Sequence, residues 1–321
     1  MAITSGSLDR NDNARPVLRF ERRLRHPPEK VWRAVTDPAH LKHWFPAELQ
    51  TEQRIGAPIT FVFPGAEAPP GSGEILEFDP PRVFAFSWKD ANSQDTTVLR
   101  FELVPADEGC LLTFTHALGG PGDLLATARH AAGWDGSLDV LEGVLAGHEV
   151  ESTRKDWFRR AERYVEEFGI ATGECVAVAD GFLLRAQRDL VHPKEKVWAE
   201  LTKDDPAVLG AAPPLRATHG YQAAGTVTEL DAPDGLTYTW LHEDEPAGVV
   251  RWQLTEQPFG SLLTVTQTIP AHLADLRAVT LAAWQTHLEL FFAALFGEIR
   301  CPWPTDRTED LRQRYAKTLN A

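Results

Sequence analysis

Four blocks of this chain occur twice, in the same order. His26-Pro27-Pro28-Glu29-Lys30-Val31-Trp32 recurs 166 residues later as His192-Pro193-Lys194-Glu195-Lys196-Val197-Trp198. Gly73 to Trp88 (GEILEFDPPRVFAFSW) recurs after 152 residues as Gly225 to Trp240 (GTVTELDAPDGLTYTW), and Leu99 to Leu118 after 151 as Val250 to Ile269. Trp134 is matched by Trp284, 150 residues on. Ordered blocks at a nearly constant offset describe one structural unit built twice, and 321 residues are in any case too many for one ordinary core. The repeat places a first domain over 17–150, a linker helix over 151–173, a second domain over 174–300 and a tail with a short helix over 301–321, the boundary falling near Gly173. The offset shrinks in the interval where copy one has Leu41 to Phe45 and a strand-like Ile59 to Phe63 and copy two has only the Ala/Pro-rich Leu209 to Leu215. Copy two is therefore expected to be degenerate, with less edge structure and a smaller or more open cavity.

Within copy one the turn residues predict an antiparallel meander. Val17 to Arg25 reads as a strand, Pro27-Pro28 closes it, and a short helix runs from Glu29 to Thr36 until Asp37-Pro38 stops it. A second short helix is expected over Ala39 to Phe45. Short apolar runs then lie between Pro64-Gly65, Pro69-Pro70-Gly71, Asp79-Pro80-Pro81 and Ala106 to Gly109, too close together for parallel crossovers. Phe84, Phe86 and Trp88 share one parity, Leu99, Phe101 and Leu103 another inward set, and Leu112, Phe114 and His116 a third. A closing helix from Asp123 to Glu149 carries Trp134, Leu138, Leu141 and Leu145 on one stripe, repeated by Trp284, Leu288, Phe291 and Leu295. A half-apolar sheet and an amphipathic helix bury their faces on each other. The fold class is α+β: two tandem domains, each a curved antiparallel sheet around a long C-terminal helix.

Met1 to Pro16 is polar and reads as a disordered lead-in rather than a signal peptide. A formal net charge of -14 and a pI near 5.2 repel phosphate backbones, which argues against nucleic acid as a partner. No window approaches the roughly 20 apolar residues of a membrane span, so no membrane insertion is expected. Cys110, Cys175 and Cys301 form neither a CxxC nor a metal-ligand spacing, which fits a reducing cytoplasm.

The PxxxVW helix, the element His43-Trp44-Phe45, the strand GxxxEFDPPxxFxFSW, Leu112 to His116 (LTFTH) and the helix GWxxxLxxLxxxL from Gly133 together resemble the family of activators of the heat-shock protein 90 ATPase, within the START-like (SRPBCC) superfamily. Copy one carries nearly all of this pattern; copy two lacks HWF and has Gln267 where copy one has His116. The resemblance implies a helix-grip fold, whose members include lipid carriers, cyclases, hydroxylase domains and co-chaperones, so the site has to decide function.

The candidate site is a ligand cavity in copy one lined by Trp44, Phe61, Phe63, Phe84, Phe86, Trp88, Phe101, Phe114, His116, Trp134, Leu138 and Leu141, more aromatic surface than a small meander needs for stability. His116 would aim an imidazole inward, to contact a ligand or to bond a backbone carbonyl. His40 and His43 stand three apart, yet no third ligand accompanies them, so no metal is expected. Asp135, Asp139 and Glu142 lie off the Trp134 stripe and read as a solvated face. No catalytic triad, phosphate loop or nucleotide fingerprint occurs, and no cofactor is expected. The first expectation is non-catalytic binding of a small hydrophobic molecule in copy one. The alternatives are a co-chaperone-like module that binds a protein partner, and a cyclase-like or hydrolase-like enzyme using His116.

Overall fold

The computed structural model describes residues 6–10, 15–63, 69–91, 93, 95–151 and 153–319. The chain divides into two units, Met1–Ile170 and Ala171–Ala321.

In the first unit, β1 (Ser7–Arg10), β2 (Pro16–Leu24), β3 (Glu48–Gln50), β4 (Pro58–Val62), β5 (Gly71–Asp79), β6 (Val83–Trp88), β7 (Thr97–Ala106) and β8 (Gly109–Ala117) form one antiparallel sheet in the order β1-β2-β8-β7-β6-β5-β4-β3. The helices α1 (Pro28–Thr36) and α2 (Pro38–Leu41) join β2 to β3; α2 ends earlier than its sequence suggested. A short 3-10 turn, Pro121–Ala126, leads into α3 (Thr127–Ala146), the closing helix, followed by α4 (Arg154–Glu167). Part of the expected lead-in is ordered: Ser7–Arg10 pairs with β2, while residues 1–5 and 11–14 lie outside the described residues. Pro64-Gly65, one of the predicted turns, also lies outside them.

The second unit repeats the plan with fewer strands. Its β9 (Glu174–Val178), β10 (Gly181–Leu190), β11 (Ala223–Asp231), β12 (Gly235–His242), β13 (Glu245–Gln257) and β14 (Gly260–Pro270) run in the order β11-β12-β13-β14-β10-β9. This sheet has no counterpart of β3 and β4, the edge that the shortened interval removes. α5 (Lys194–Leu201) corresponds to α1, α6 (Arg277–Leu295) is the closing helix, and α7 (Thr305–Leu319) follows it.

Alternation decides what faces inward. Along β2, Leu18, Phe20, Arg22 and Leu24 are buried while Arg19 and Arg23 are exposed. Register shifts between Ile75 and Glu77 and between Ala224 and Glu229 mark bulges at the same place in both sheets, where a bulge bends the strand. At the β7–β8 and β13–β14 hairpins, Gly109 (φ 142°) and Gly260 (φ 135°) leave no room for a side chain, because a Cβ would lie 2.1 Å from the Leu24 or Leu190 carbonyl oxygen.

The helices that follow the closing helices belong to their own units. The helix read as a linker, α4, packs on α3 and buries Phe158, Ala161 and Tyr164; the tail helix, α7, packs on α6 and buries Leu311 and Tyr315. Each carries a tyrosine that ties down the backbone ahead of the unit's first strand. Tyr164 Oη accepts from the Gly6 N–H (3.0 Å), and Tyr315 Oη accepts from the Gly173 N–H (2.7 Å) while donating to Gln285 Oε1 (2.6 Å).

Candidate functional site

The residues predicted to line a cavity in the first unit do converge between the sheet and α3. Trp44, Phe61, Phe84, Phe86, Trp88, Phe101, Phe114, His116, Trp134, Leu138 and Leu141 are all buried, and Phe63 is partly buried beside them. Their rings touch: Phe61 stacks on Trp88 (4.5 Å between centroids), Phe101 on Phe114 (4.7 Å), and Phe114 lies 4.8 Å from Trp134. Phe45, which the candidate set left out, sits at the middle, within 5.5 Å of both Trp44 and Trp134 and 5.8 Å of Trp88. Trp44 is fixed by donating its indole N–H to the Ala34 carbonyl (2.9 Å).

Polar side chains also enter this aromatic interior, His116 foremost. His116 is 4% exposed, and its Nδ1 accepts the indole N–H of Trp134 at 2.9 Å, a side chain where a backbone carbonyl was the simpler expectation. Its Nε2 is buried with no hydrogen-bond partner among the described residues. Burial pushes the His116 pKa down to about 3, so the ring is neutral near pH 7. His130, on α3, stands edge-on to it at 5.4 Å, and burial, then the neighbouring His116 and Arg129, holds its pKa well below the usual value.

The supposed solvated face of α3 is a correction. Asp135 is fully buried and receives three guanidinium groups: Arg22 Nη2 at 2.5 Å, Arg160 Nη1 at 2.8 Å and Arg163 Nη2 at 2.7 Å. Arg160 also reaches Asp139 (2.6 Å), and Arg22 Nε reaches Glu142 (3.1 Å). Burial is the largest influence on Glu142 and raises its pKa, helped by Asp139 and Asp135 and opposed by Arg22. The sequence signal was there in Arg22, an arginine on the inward parity of a strand, which requires a buried counter-charge. This network borders a cleft of about 810 Å³ lined by Arg22 to Arg25, the β7–β8 hairpin, Asp139 and Glu142. His40 and His43 are both exposed, and no cluster of three or more metal-ligating side chains occurs among the described residues.

The second unit has its own buried polar set, to which the sequence reading assigned no role. Trp284 donates its indole N–H to Gln267 Oε1 (2.7 Å), the position equivalent to His116, and Gln267 Nε2 is buried without a partner among the described residues. His219 stands edge-on to Trp284 at 4.5 Å, and its Nδ1 accepts from the Tyr221 N–H (3.1 Å). His287 Nε2 donates to the Arg216 carbonyl (2.9 Å), and its ring stacks near Trp303. Burial lowers His219 to about 3, further helped by His287 and opposed by the neighbouring Gln267, and lowers His287 to about 4.

An antiparallel sheet gripping a long tryptophan-bearing helix, built twice along the chain, is the START-like helix-grip architecture. The chain belongs to the family described as Activator of Hsp90 ATPase homolog 1-like protein, whose model matches residues 25–146 and 210–296, more than half of the chain and a stretch of each unit. Among solved structures it is similar to CalU16 from Micromonospora echinospora (24% identity, 52% of this chain and 99% of that one, TM-score 0.44). It is also similar to protein MLL2253 from Mesorhizobium loti (25% identity, 42% of this chain and 99% of that one, TM-score 0.37). None of the curated proteins compared with it matches. Among the described residues no helix is long and apolar enough to cross a membrane.

Proposed function

We propose that the first domain holds a small hydrophobic molecule between its sheet and α3 and does not transform it. The observation that carries this reading is His116, a neutral imidazole in an aromatic enclosure whose buried Nε2 lacks a partner. Buried polar groups are ordinarily paired, and apolar pockets with one or two directed polar groups are the usual small-molecule sites. Phe61, Phe63, Phe84, Phe86, Trp88, Phe101, Phe114, Trp44, Trp134, Leu138 and Leu141 would supply the apolar contacts. Catalysis is disfavoured because the His116 Nδ1 is taken by an indole and not by a carboxylate that could orient it as a base. The three cysteines are free, which supports a reducing compartment such as the cytoplasm.

The test is titration of the full chain with N-phenyl-1-naphthylamine, an uncharged probe, read by energy transfer from tryptophan. Saturable binding that Leu141→Trp abolishes, in a chain still cooperatively folded, supports the reading; absence of saturable binding to the natural sequence refutes it. A second reading, a co-chaperone-like module, is favoured by the family itself. A pull-down with heat-shock protein 90 and an assay of its ATPase test that reading, and an unchanged ATPase with no co-precipitation removes it.

A further inference from the structure

We propose that the molecule taken up by the first domain is uncharged and carries a carbonyl-type acceptor oxygen, received by the N–H at His116 Nε2, with Trp134 as the positioning residue that sets this requirement. The inference rests on the ligand-binding reading above and names the chemistry of its ligand.

The argument starts from what an indole can do. Its N–H donates and cannot accept, so the imidazole nitrogen 2.9 Å from Trp134 Nε1 must present a lone pair. A neutral imidazole has one N–H, and with Nδ1 accepting, that proton is on Nε2. The group left over in the interior is therefore a donor. It is buried and lacks an acceptor among the described residues, and a buried donor without an acceptor is an unfavourable arrangement that a ligand oxygen would relieve.

The second domain supplies an independent check on which property matters. There Trp284 Nε1 lies 2.7 Å from the Gln267 carboxamide, and by the same reasoning the atom facing the indole is the oxygen. The remaining group is again an N–H donor, again buried and without a partner among the described residues. A residue that titrates and one that cannot occupy the same position, and both accept from tryptophan and leave a donor over. What the two domains share is directed donation, not acid–base chemistry.

The surroundings narrow the ligand further. An ammonium group would set donor against donor. A carboxylate would meet two neutral imidazoles, His116 and His130, among phenyl and indole rings, and the neighbouring cation, Arg129, is already engaged, so it would lose its hydration for little counter-charge. Ketones, quinones, esters and amides on a flat apolar body fit.

The experiment uses the full chain and two flat tricyclic probes of nearly one shape, fluorenone and fluorene, which differ by a carbonyl oxygen. Binding is followed through the indole N–H resonance of Trp134, assigned with Trp134→Phe, so that the first domain is read alone. The expected result is that fluorenone binds about tenfold tighter than fluorene, the worth of one hydrogen bond. His116→Gln should keep that preference and His116→Phe should abolish it. Equal binding of the two probes overturns the inference and leaves the ligand-binding reading standing; failure of both probes to move the resonance removes that reading and the inference with it. Heteronuclear NMR of isotope-labelled histidine gives a second measure: a proton on Nδ1 of His116 in the natural sequence would overturn the inference whatever the probes do.

Discussion

In the first domain Trp44 and Phe45 pack on Phe101 and Phe86; the second domain has no such segment, and the backbone turn Leu215–Ala217 meets the equivalent strand positions. The neighbours changed accordingly. Where the first domain has Phe86 and Phe101, the second has Tyr238 and Trp252, and both donate to the Ala217 carbonyl, at 2.8 and 3.1 Å. His287 donates to the Arg216 carbonyl from the position where the first domain has Ser137. A ring asks nothing of its neighbours but contact, whereas buried backbone carbonyls need donors. The charges differ in the same spirit. Arg22 meets Asp135, while its counterpart Arg188 lies over the Phe292 ring at 4.3 Å and the residue equivalent to Asp135 is Gln285, bonded to Tyr315. The second copy has fewer edge strands than the first, and polar bonds fix its interior where rings fill the first.

The contrast can be broken by mutation. Asp135→Ala removes the buried carboxylate shared by Arg22, Arg160 and Arg163, leaving the 6% exposed Arg22 only the part-exposed Glu142 and Asp139, and should destabilise the first domain by about 3–5 kcal/mol, against about 1 kcal/mol for Gln285→Ala in the second, both measured by urea unfolding. A small loss at Asp135 would mean that the two domains are held together alike.

Acid should act next most strongly. His116, His219 and His287 all have folded pKa values below the ordinary 6.5, at about 3, about 3 and about 4. The unfolded chain binds these protons first, so stability is complete above the unfolded value and is lost as pH falls from near 6.5 toward the folded values. Each should withdraw about 2 kcal/mol between about pH 7 and about pH 5. Unfolding curves at the two pH values should show His116→Gln sparing the first domain by that amount, and a loss indifferent to this change would place the acid sensitivity elsewhere.

Exchanging the fixings sharpens the comparison further. Phe86→Tyr places a hydroxyl among the rings of Phe45, Phe61, Phe84 and Phe101 and should cost about 1–3 kcal/mol, while Tyr238→Phe should cost about 1 kcal/mol, because Trp252 still serves the carbonyl. A comparably small effect is expected at the shared tyrosines: Tyr164→Phe and Tyr315→Phe should each cost about 0.5–1.5 kcal/mol, with earlier hydrogen exchange at Gly6 and Gly173. Unequal losses would show that the appended helices are not equivalent.

The duplication, the inward parity of Phe84, Phe86 and Trp88, the stripe from Trp134 to Leu145 and the missing edge of the second sheet could all be read from the residues in order. These are periodicities of two or of about three and a half residues, and a short stretch of backbone enforces them by itself. The lead-in misled because four residues of polar strand, Ser7–Arg10, carry no apolar alternation and owe their form to pairing with β2. Asp135 misled for a related reason: its partner Arg22 lies 113 residues away, and its other partners sit on α4, read as a linker and not as a helix packed on α3. The identity of a buried group's partner is set by register between distant elements, and so is the proton of His116, which only the approach of Trp134 assigns. Local pattern determined which faces of this protein are buried; tertiary contact decided which polar groups are satisfied there and which are left over.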